Sequence, residues 1–492
     1  MFCFVFDDLL RKNQADRADH AALEVGGQCL TYREVNKAVN RLAGSLHHLG
    51  MRKGDRVCIH LQKSIDEVIA TFAVSRLGAV YVNLNPQLTT RQLQYAMKNA
   101  RVRFAFMEHR KARALGADGV PDCLEMIVSR GSSAGREENA GPGTRLIAWS
   151  HLPDAHDPPA VRLIDRDLCA VLYTSGSTGM PKGVMLSHQN VVHSGMAAAR
   201  HLQNRPDDRI ISVLPLSFDY GLSQLTSAFL VGATLVLQPV QAPAEIVKTL
   251  QEKRITGLAT VPTLWIPLTR LLDEHATELP HLRYVAVSGG LLPTDVLRAW
   301  KRVFPNARKY VMYGMTEAFR TSFLDPEDFD RKMGSIGKPL PNVEVFVVDP
   351  GKGICGPNER GELLHRGSLI SMGYLDDPEA TAEKFKPSPH LSPLIGDERV
   401  FHSGDTVFRD DEGYLWFVAR TTTFIKCSDF RVSPTEVENL VFESGKVDDV
   451  VAFGVPDEML GQVVHVAVSE RPGSGFDERG LMLHCRRQMP TY

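Results

Sequence analysis

Amphipathic segments alternate with short apolar runs along most of the chain. Apolar side chains recur at helical spacing in residues 31–50, TYREVNKAVNRLAGSLHHLG, behind Thr31 and Glu34, which can form a capping box. The apolar run DRVCIHL follows, residues 64–78 repeat the capped helical pattern, and the apolar run VYVNL comes next. Strand, helix and strand in this order predict a parallel sheet with packed helices.

The pattern changes its period in the later part of the chain. Strand and helix patterns continue to about residue 347, after which EVFVVDP, GELLHRG and GYLWFVAR alternate polar and apolar positions. Such alternation is typical of antiparallel strands with one solvated face, so we expect a small antiparallel, barrel-like part. Residues 131–159 are rich in Gly, Ser, Pro, Asp and Glu and lack a period, which predicts a surface excursion.

A further change in pattern follows Arg420. Residues 433–436 can begin a helix, and the runs DVVAFGV and HVAVSE predict two more strands. We therefore predict an α/β protein with a large N-terminal domain, residues 1–419, and a small α/β C-terminal domain, residues 420–492.

Composition excludes several classes of function. Of 492 residues, 56 are Lys or Arg and 58 are Asp or Glu, so the chain lacks the basic excess with which proteins bind nucleic acid. Eight cysteines without a CxxC pair argue against a zinc site or a disulfide framework and favour a reducing, cytoplasmic compartment. We expect no membrane span, since no apolar run approaches the roughly 20 residues that one requires.

The stretch VLYTSGSTGMPKGVML, residues 171–186, places small residues and one lysine between two apolar runs. Glycines and hydroxyl residues let backbone N–H groups approach an anion closely, and Lys182 adds a mobile positive charge. A flexible linker is the alternative interpretation of such a composition. The pattern also differs from the common nucleotide loop GxxxxGK[ST], because Gly183 follows the lysine. The sequence therefore predicts a different phosphate-binding loop.

The stretch YTSGSTGMPKGV resembles the signature of the AMP-forming adenylating ligases. This superfamily contains acyl-CoA synthetases, peptide-synthetase adenylation domains and luciferases. Five further segments match the family in its order and extend the resemblance over nearly the whole chain. They are YGMTEA at 313–318, GSIGKP at 334–339, GELLHRG at 361–367, HSGDTVFRDDEGYLWFVAR at 402–420 and IKCSDFRVSPTEVE at 425–438.

The resemblance implies a reaction in two steps. A carboxylate attacks the α-phosphate of ATP, pyrophosphate leaves, and a thiol then attacks the acyl adenylate. The implied cofactors are ATP and Mg²⁺, and the thiol belongs to coenzyme A or to the phosphopantetheine of a carrier protein. The implied catalytic residues are Lys182 at the phosphates, Thr316 at the α-phosphate and Glu317, which ligates Mg²⁺.

The resemblance also implies a set of nucleotide-binding residues. Tyr313 lies against the adenine ring, the turn at Ser288 to Gly290 meets the other edge of the base, Asp405 accepts the ribose hydroxyls and Arg420 reaches the ribose. The full set is Thr174, Ser175, Gly176, Ser177, Thr178, Gly179, Lys182, Ser288, Gly289, Gly290, Tyr313, Gly314, Met315, Thr316, Asp405 and Arg420.

The substrate acid is expected at the stretch LPLSFDYGLSQL. Many acyl-CoA synthetases have histidine at the position of Phe218, whereas amino-acid-adenylating relatives have FD, and their aspartate neutralises the substrate ammonium. Asp219 favours an amino or imino acid on that ground, and an Asp that caps a local turn is the alternative. The residues expected to line the substrate pocket are Phe218, Asp219, Tyr220, Thr260, Trp265 and Met315.

Three features depart from the family pattern. Thr422 stands where relatives have Asp or Lys at the hinge, and Asp429 stands where relatives have a glycine beside the pantetheine passage. The sequence ends at RRQMPTY, before the lysine that relatives use in adenylation, so we expect an incomplete C-terminal domain. An ordinary acyl-CoA synthetase for an uncharged acid and a nucleotide-binding homologue with impaired catalysis therefore stay open beside the amino-acid ligase.

Overall fold

The computed structural model describes residues 2–131, 137–155, 157–174, 181–420, 425–427, 430–457 and 461–489. The helices are α1 Asp8–Asp16, α2 Tyr32–His48, α3 Ile65–Arg76, α4 Thr90–Asn99, α5 His109–Asp118, α6 His188–His201, α7 Asp219–Val231, α8 Pro243–Glu252, α9 Pro262–Glu274, α10 Thr294–Val303, α11 Pro378–Lys384, α12 Ser392–Ile395, α13 Pro434–Phe442 and α14 Glu478–Gln488.

The strands alternate with these helices in the first part of the chain and follow one another more directly in the later part. They are β1 Ala21–Val25, β2 Gln28–Thr31, β3 Arg56–His60, β4 Val80–Asn83, β5 Phe104–Glu108, β6 Met126–Arg130, β7 Glu137–Gly141, β8 Thr144–Ala148, β9 Leu168–Thr174, β10 Lys182–Ser187, β11 Arg209–Ser212, β12 Thr234–Leu237, β13 Gly257–Thr260, β14 Tyr284–Val287, β15 Arg308–Met315, β16 Ala318–Leu324, β17 Lys338–Pro339, β18 Val343–Asp349, β19 Gly353–Ile354, β20 Arg360–Gly367, β21 Phe385–Lys386, β22 Val400–Arg409, β23 Leu415–Arg420, β24 Ile425–Cys427, β25 Phe430–Val432, β26 Val447–Asp457 and β27 Gly461–Glu470.

Helices α2 and α3 begin where the sequence predicts them. The Thr31 hydroxyl accepts the Glu34 N–H while the Glu34 carboxylate accepts the Thr31 N–H, so the capping box is complete. Ser64 accepts the Glu67 N–H at the start of α3. Helix α2 buries one face, but α3 is buried on nearly all sides in a core that also takes side chains from the two large sheets. Because it lies inside the molecule, α3 is buried on nearly all sides rather than on one face, and even its Glu67 and Arg76 are enclosed.

Two large, mainly parallel sheets form the first part of the molecule. One has nine strands in the order β17-β16-β15-β14-β13-β11-β12-β1-β2, and the other has eight in the order β10-β9-β4-β3-β5-β6-β8-β7. Parallel pairs form the centre of both sheets, while antiparallel pairs stand at their ends, such as β15 with β16 and β9 with β10. The predicted parallel sheets with packed helices are confirmed.

The later strands form two antiparallel sheets. Strands β18 to β23 pair in the order β19-β18-β20-β22-β21, with β23 against β22, and strands β24 to β27 form a sheet of four. The alternating patterns of EVFVVDP, GELLHRG and GYLWFVAR therefore indicate antiparallel pairing correctly. Helix α13 packs against β26 to complete the small C-terminal unit. The exact boundary at residue 420 stays a prediction.

The interpretation of residues 131–159 as a surface excursion is wrong in part. Strand β8 pairs parallel to β6, and β7 turns back along β8 as the edge of the eight-stranded sheet. The short sequence TRLIA of β8 buries four of its five residues. Its apolar content was too small to stand out within a polar stretch, and only pairing with β6 makes it a strand.

In the parts of the chain that are described, no helix has the length and apolar character to cross a membrane.

Candidate active site

A cavity of about 650 Å³, here called the central cavity, lies where three of the sheets meet. The ends of β9 and β10, the start of α7, the loop after β14 and the β15–β16 hairpin contribute to its wall, and the antiparallel sheet adds residues from β22 and β23. In α/β folds ligands bind at the carboxyl ends of parallel strands, so the position is the expected one for a substrate site. The residues predicted for the site that line the cavity are Thr174, Lys182, Phe218, Asp219, Tyr220, Ser288, Gly289, Tyr313, Gly314, Met315, Thr316, Glu317 and Arg420.

Strands β9 and β10 hold the two ends of the predicted phosphate loop. Thr174 and Lys182 are directly paired in the antiparallel ladder, so both face the cavity from the mouth of one hairpin. Lys182 Nζ lies 3.4 Å from the Asp377 carboxylate and 5.2 Å from the centre of the Tyr374 ring. Ser175, Gly176, Ser177, Thr178 and Gly179 lie outside the described residues.

Thr316 and Glu317 occupy the turn between β15 and β16. Met315 pairs with Ala318, which leaves these two residues at the tip of the hairpin and directs the turn to the cavity. The Tyr374 hydroxyl donates to Glu317 Oε1 at 2.8 Å. The described residues hold no group of three or more His, Cys, Asp or Glu side chains suited to a metal ion. A single carboxylate beside the predicted phosphate loop is compatible with Mg²⁺, which keeps most of its ligands as water and phosphate oxygens.

Tyr313, Asp405 and Arg420 form one hydrogen-bonded chain. The Tyr313 hydroxyl donates to Asp405 Oδ2 at 2.6 Å, and Arg420 Nε donates to Asp405 Oδ1 at 2.8 Å. Burial and the neighbouring Asp405 carboxylate raise the pKa of Tyr313 well above its ordinary value, so the phenol stays protonated and donates. Asp405 itself is buried just behind the cavity wall, which its neighbours Ser403 and Gly404 line.

Asp219 is a buried carboxylate at the first turn of α7. Its Oδ1 accepts the Tyr220 N–H at 2.7 Å, and burial raises the pKa of Asp219 to about 6. The local backbone bond matches the interpretation of Asp219 as a cap. Its place in the cavity wall matches the interpretation of a substrate contact, and one carboxylate has enough oxygens for both.

Arg320 was missed by the sequence analysis. It follows the Thr316–Glu317 turn on β16, lines the central cavity and is 7% exposed. Its Nη2 donates to Ser223 Oγ at 2.5 Å, and its guanidinium lies 5.5 Å from the centre of the Tyr220 ring. The single charged residue in the buried strand sequence AFRTSFL was the available signal.

Besides Asp405, three predicted residues lie outside the central cavity wall. Trp265 points into the core, where its ring packs 4.6 Å from Trp300 and its Nε1 donates to Ala286 O. Thr260 is fully buried at the end of β13. Gly290 lines a neighbouring cavity of about 730 Å³, and Gly289 lines both cavities. Neither Trp265 nor Thr260 lines the central cavity as predicted, because Trp265 lies on the side of α9 that packs into the core and Thr260 is enclosed at the end of β13.

A family model described as AMP-binding enzyme matches residues 10–375. The chain belongs to this family. The AMP-binding enzyme is 28% identical over 515 residues to a Long-chain-fatty-acid--CoA ligase of Escherichia coli O157:H7, covering 99% of this chain and 89% of the relative. It is 30% identical over 499 residues to phosphinothricin tripeptide synthetase PhsC of Streptomyces viridochromogenes, covering 99% of this chain but 42% of that longer protein.

Solved structures agree with the fold. ATP-bound MatB from Rhodopseudomonas palustris matches with a TM-score of 0.83 at 25% identity, covering 99% of this chain and 93% of that one. The anthranilate CoA ligase AuaEII in complex with anthranoyl-AMP matches with a TM-score of 0.87 at 23% identity, covering 100% and 92%. The predicted family and fold class of the AMP-binding enzyme are confirmed.

Proposed function

We propose that the chain is an AMP-forming ligase that activates a carboxylic acid with ATP and transfers the acyl group to a thiol of coenzyme A or of a carrier-protein phosphopantetheine. The observation that carries the proposal is that Thr174 and Lys182 of β9 and β10, the Thr316–Glu317 turn and Arg420 all line one cavity. Phosphate, metal and ribose contacts are needed together for adenylation, and a cavity built from three sheets brings their residues together.

Each part of the wall has a role in this proposal. Thr174 and Lys182 hold the outer phosphates together with the loop that they flank, because a lysine and small hydroxyl residues suit dispersed negative charge. Thr316 contacts the α-phosphate at the reacting centre. Glu317 holds Mg²⁺, which neutralises phosphate charge when bound.

The nucleoside is held on the opposite side of the cavity. Tyr313 lies against the adenine ring, and the turn at Ser288 and Gly289 meets the base from the loop after β14. Asp405 accepts the ribose hydroxyls, since a carboxylate has lone pairs beyond those that Tyr313 and Arg420 occupy.

The substrate is proposed to be a small amino or imino acid. Asp219 supports this class because a carboxylate buried in a cavity wall is costly unless a cation meets it. Phe218, Tyr220 and Met315 complete the acid side of the wall. An uncharged acid is the competing substrate class, for which Asp219 serves only as a local cap.

A cytoplasmic location is part of the proposal. The seven cysteines whose side chains the structure describes are free thiols, as a reducing compartment maintains them.

Pyrophosphate exchange with a panel of amino acids and their deaminated analogues tests the proposal. Lys182→Ala is expected to weaken ATP binding without lowering the melting temperature, because the side chain is partly exposed and adds little to stability. The exposed Lys352→Ala variant is the matched control and is expected to behave as the wild type. ATP binding without exchange for any acid supports the nucleotide-binding homologue instead, and unchanged ATP affinity in Lys182→Ala contradicts the phosphate site.

A further inference from the structure

Arg320 is a buried cation with few partners. Its Nη2 donates to Ser223 Oγ, and its Nη1 lies 3.4 Å from Met312 Sδ, a weak acceptor. Its Nε is buried and has no hydrogen-bond partner among the described residues. A guanidinium has five N–H donors, so one hydroxyl and one thioether leave most of its donor capacity unused.

The nearest opposite charge does not satisfy this cation. Asp219 also lines the central cavity and is close enough to favour the charged form of Arg320, yet the two form no ion pair within 4 Å where the structure describes them. The Tyr220 ring provides a cation–π contact at 5.5 Å, which supplies no hydrogen-bond acceptor. An unpaired charge taken out of water is unfavourable, and a protein that retains one in a ligand cavity has a use for it.

The position of Arg320 indicates what it meets. It stands on β16 three residues after Glu317, a separation of about 10 Å at the usual rise of roughly 3.3 Å per residue. The reacting carboxylate is placed at the Thr316–Glu317 turn in the proposed function, so Arg320 faces the far end of a short acid. A planar fork of donors there fits a carboxylate in two-point contact.

We infer that the acid substrate carries a second carboxylate, which Arg320 binds at the inner end of the central cavity. This inference rests on the proposed function. In the proposed function Asp219 pairs with the ammonium of the substrate. The two contacts together indicate that the substrate is an amino dicarboxylic acid. Such a substrate supplies one opposite charge to each of the two buried groups, so the occupied cavity contains two charge pairs where the protein alone has two separated charges.

Pyrophosphate exchange with matched acids tests the inference on the wild-type chain first. Glutamic and aspartic acids are compared with glutamine and asparagine, which keep the size and the ammonium but replace the second carboxylate by an amide. The dicarboxylic acids are expected to be preferred by about thirtyfold or more in kcat/KM, since one desolvated charge pair typically contributes about 2 kcal/mol or more. Equal rates, or a preference for the amides, overturn the inference.

Variants then assign the preference to Arg320. Arg320→Leu is expected to remove the discrimination between acid and amide while the KM for ATP stays unchanged, and Arg320→Lys is expected to retain part of it. The exposed Arg360→Leu variant is the control and is expected to keep the full preference. A discrimination that survives in Arg320→Leu overturns the assignment.

A binding measurement separates this inference from the proposed function. Glutamic acid is expected to raise the melting temperature of the wild type and of Arg360→Leu but not of Arg320→Leu, while glutamine raises none of them. If no acid supports exchange and this pattern still holds, the ligase proposal fails and the carboxylate site stands. If exchange occurs but stabilisation by glutamic acid does not depend on Arg320, the carboxylate site fails alone.

Discussion

The Tyr313 hydroxyl lies 2.6 Å from the Asp405 carboxylate and joins β15 of the nine-stranded sheet to β22 of the antiparallel sheet. Arg420, at the end of β23, holds the other oxygen of the same carboxylate. The side chain proposed to bind the ribose is therefore fixed from two sides before any nucleotide arrives. A fixed acceptor loses little conformational freedom on binding, which favours affinity.

Substitution of Asp405 is expected to weaken nucleotide binding more than substitution of Tyr313. Asp405→Ala removes a charged acceptor and is expected to lower ATP affinity by about tenfold or more. Tyr313→Phe keeps the ring against the adenine and loses only the orienting hydrogen bond, so a smaller loss is expected. Calorimetric titration of ATP into each variant gives the order of the effects. ATP affinity equal to wild type in Asp405→Ala removes that residue from the ribose site.

Glu317→Gln is expected to reduce Mg²⁺-dependent turnover by about hundredfold, because a neutral amide replaces the carboxylate at the phosphates. The amide oxygen can still accept the Tyr374 O–H, so the hairpin turn is expected to keep its structure. Exchange rates are measured across a Mg²⁺ titration, and Tyr374→Phe serves as the comparison for loss of the hydrogen bond alone. Full activity of Glu317→Gln at low Mg²⁺ contradicts the metal role.

The raised pKa of Asp219 predicts a pH dependence of substrate binding. Burial raises this pKa from 3.8 to about 6, so the carboxylate is charged above pH 6 and neutral well below it. The KM of an amino substrate is therefore expected to rise as pH falls below 6, by about tenfold per pH unit. The deaminated analogue is expected to lack this rise, because it presents no ammonium to Asp219.

Asp219→Asn isolates the carboxylate from other titrating groups. The variant is expected to lose amino-acid activation at every pH while it keeps ATP binding. The melting temperature without ligands is expected to be unchanged or higher, since the variant no longer buries a charge. A wild-type preference for deaminated acids at pH 7.5 contradicts the ammonium site and favours an uncharged substrate.

His188 predicts a loss of stability in acid. Its Nδ1 accepts the Phe6 N–H at 3.1 Å, and burial lowers the pKa of His188 to about 4. In the unfolded chain the pKa of His188 is near 6.5, so the unfolded chain takes up the proton at a higher pH than the folded protein does. The free energy of unfolding is therefore highest above pH 6.5 and decreases as pH falls from 6.5 to 4. The full change is on the order of 3 kcal/mol.

His188→Asn is the matched variant for this prediction, because an amide oxygen can accept the same N–H and does not titrate. Urea unfolding at pH 7.5 and pH 5 is expected to show a larger loss of unfolding free energy in the wild type than in His188→Asn. The exposed His20→Asn variant is expected to follow the wild type. Identical losses in the wild type and in His188→Asn rule out His188 as the source.

Local features of the fold were predictable because their geometry depends on neighbours in the sequence. The capping box of Thr31 and Glu34 needs only residues three positions apart, and the paired hydrogen bonds form as expected. The pattern of GELLHRG predicts a strand correctly but not a solvated face, because the consecutive Leu363 and Leu364 of β20 are both buried, in two different clusters. The edge hairpin of β7 and β8 was missed because its pairing partner, β6, decides its conformation.

The sequence by itself determined the family, the order of its motifs and the residue types at the proposed nucleotide site, because these are properties of short segments. Only the tertiary structure decided which side chains share the central cavity. Arg320 reaches Ser223 across 97 positions of the chain, and Trp265 turns toward Trp300 instead of the cavity wall. Both contacts depend on how helices pack on the nine-stranded sheet, because that packing decides which face of a helix or strand is enclosed. It also decides which buried charge faces the cavity, where a substrate can pair with it.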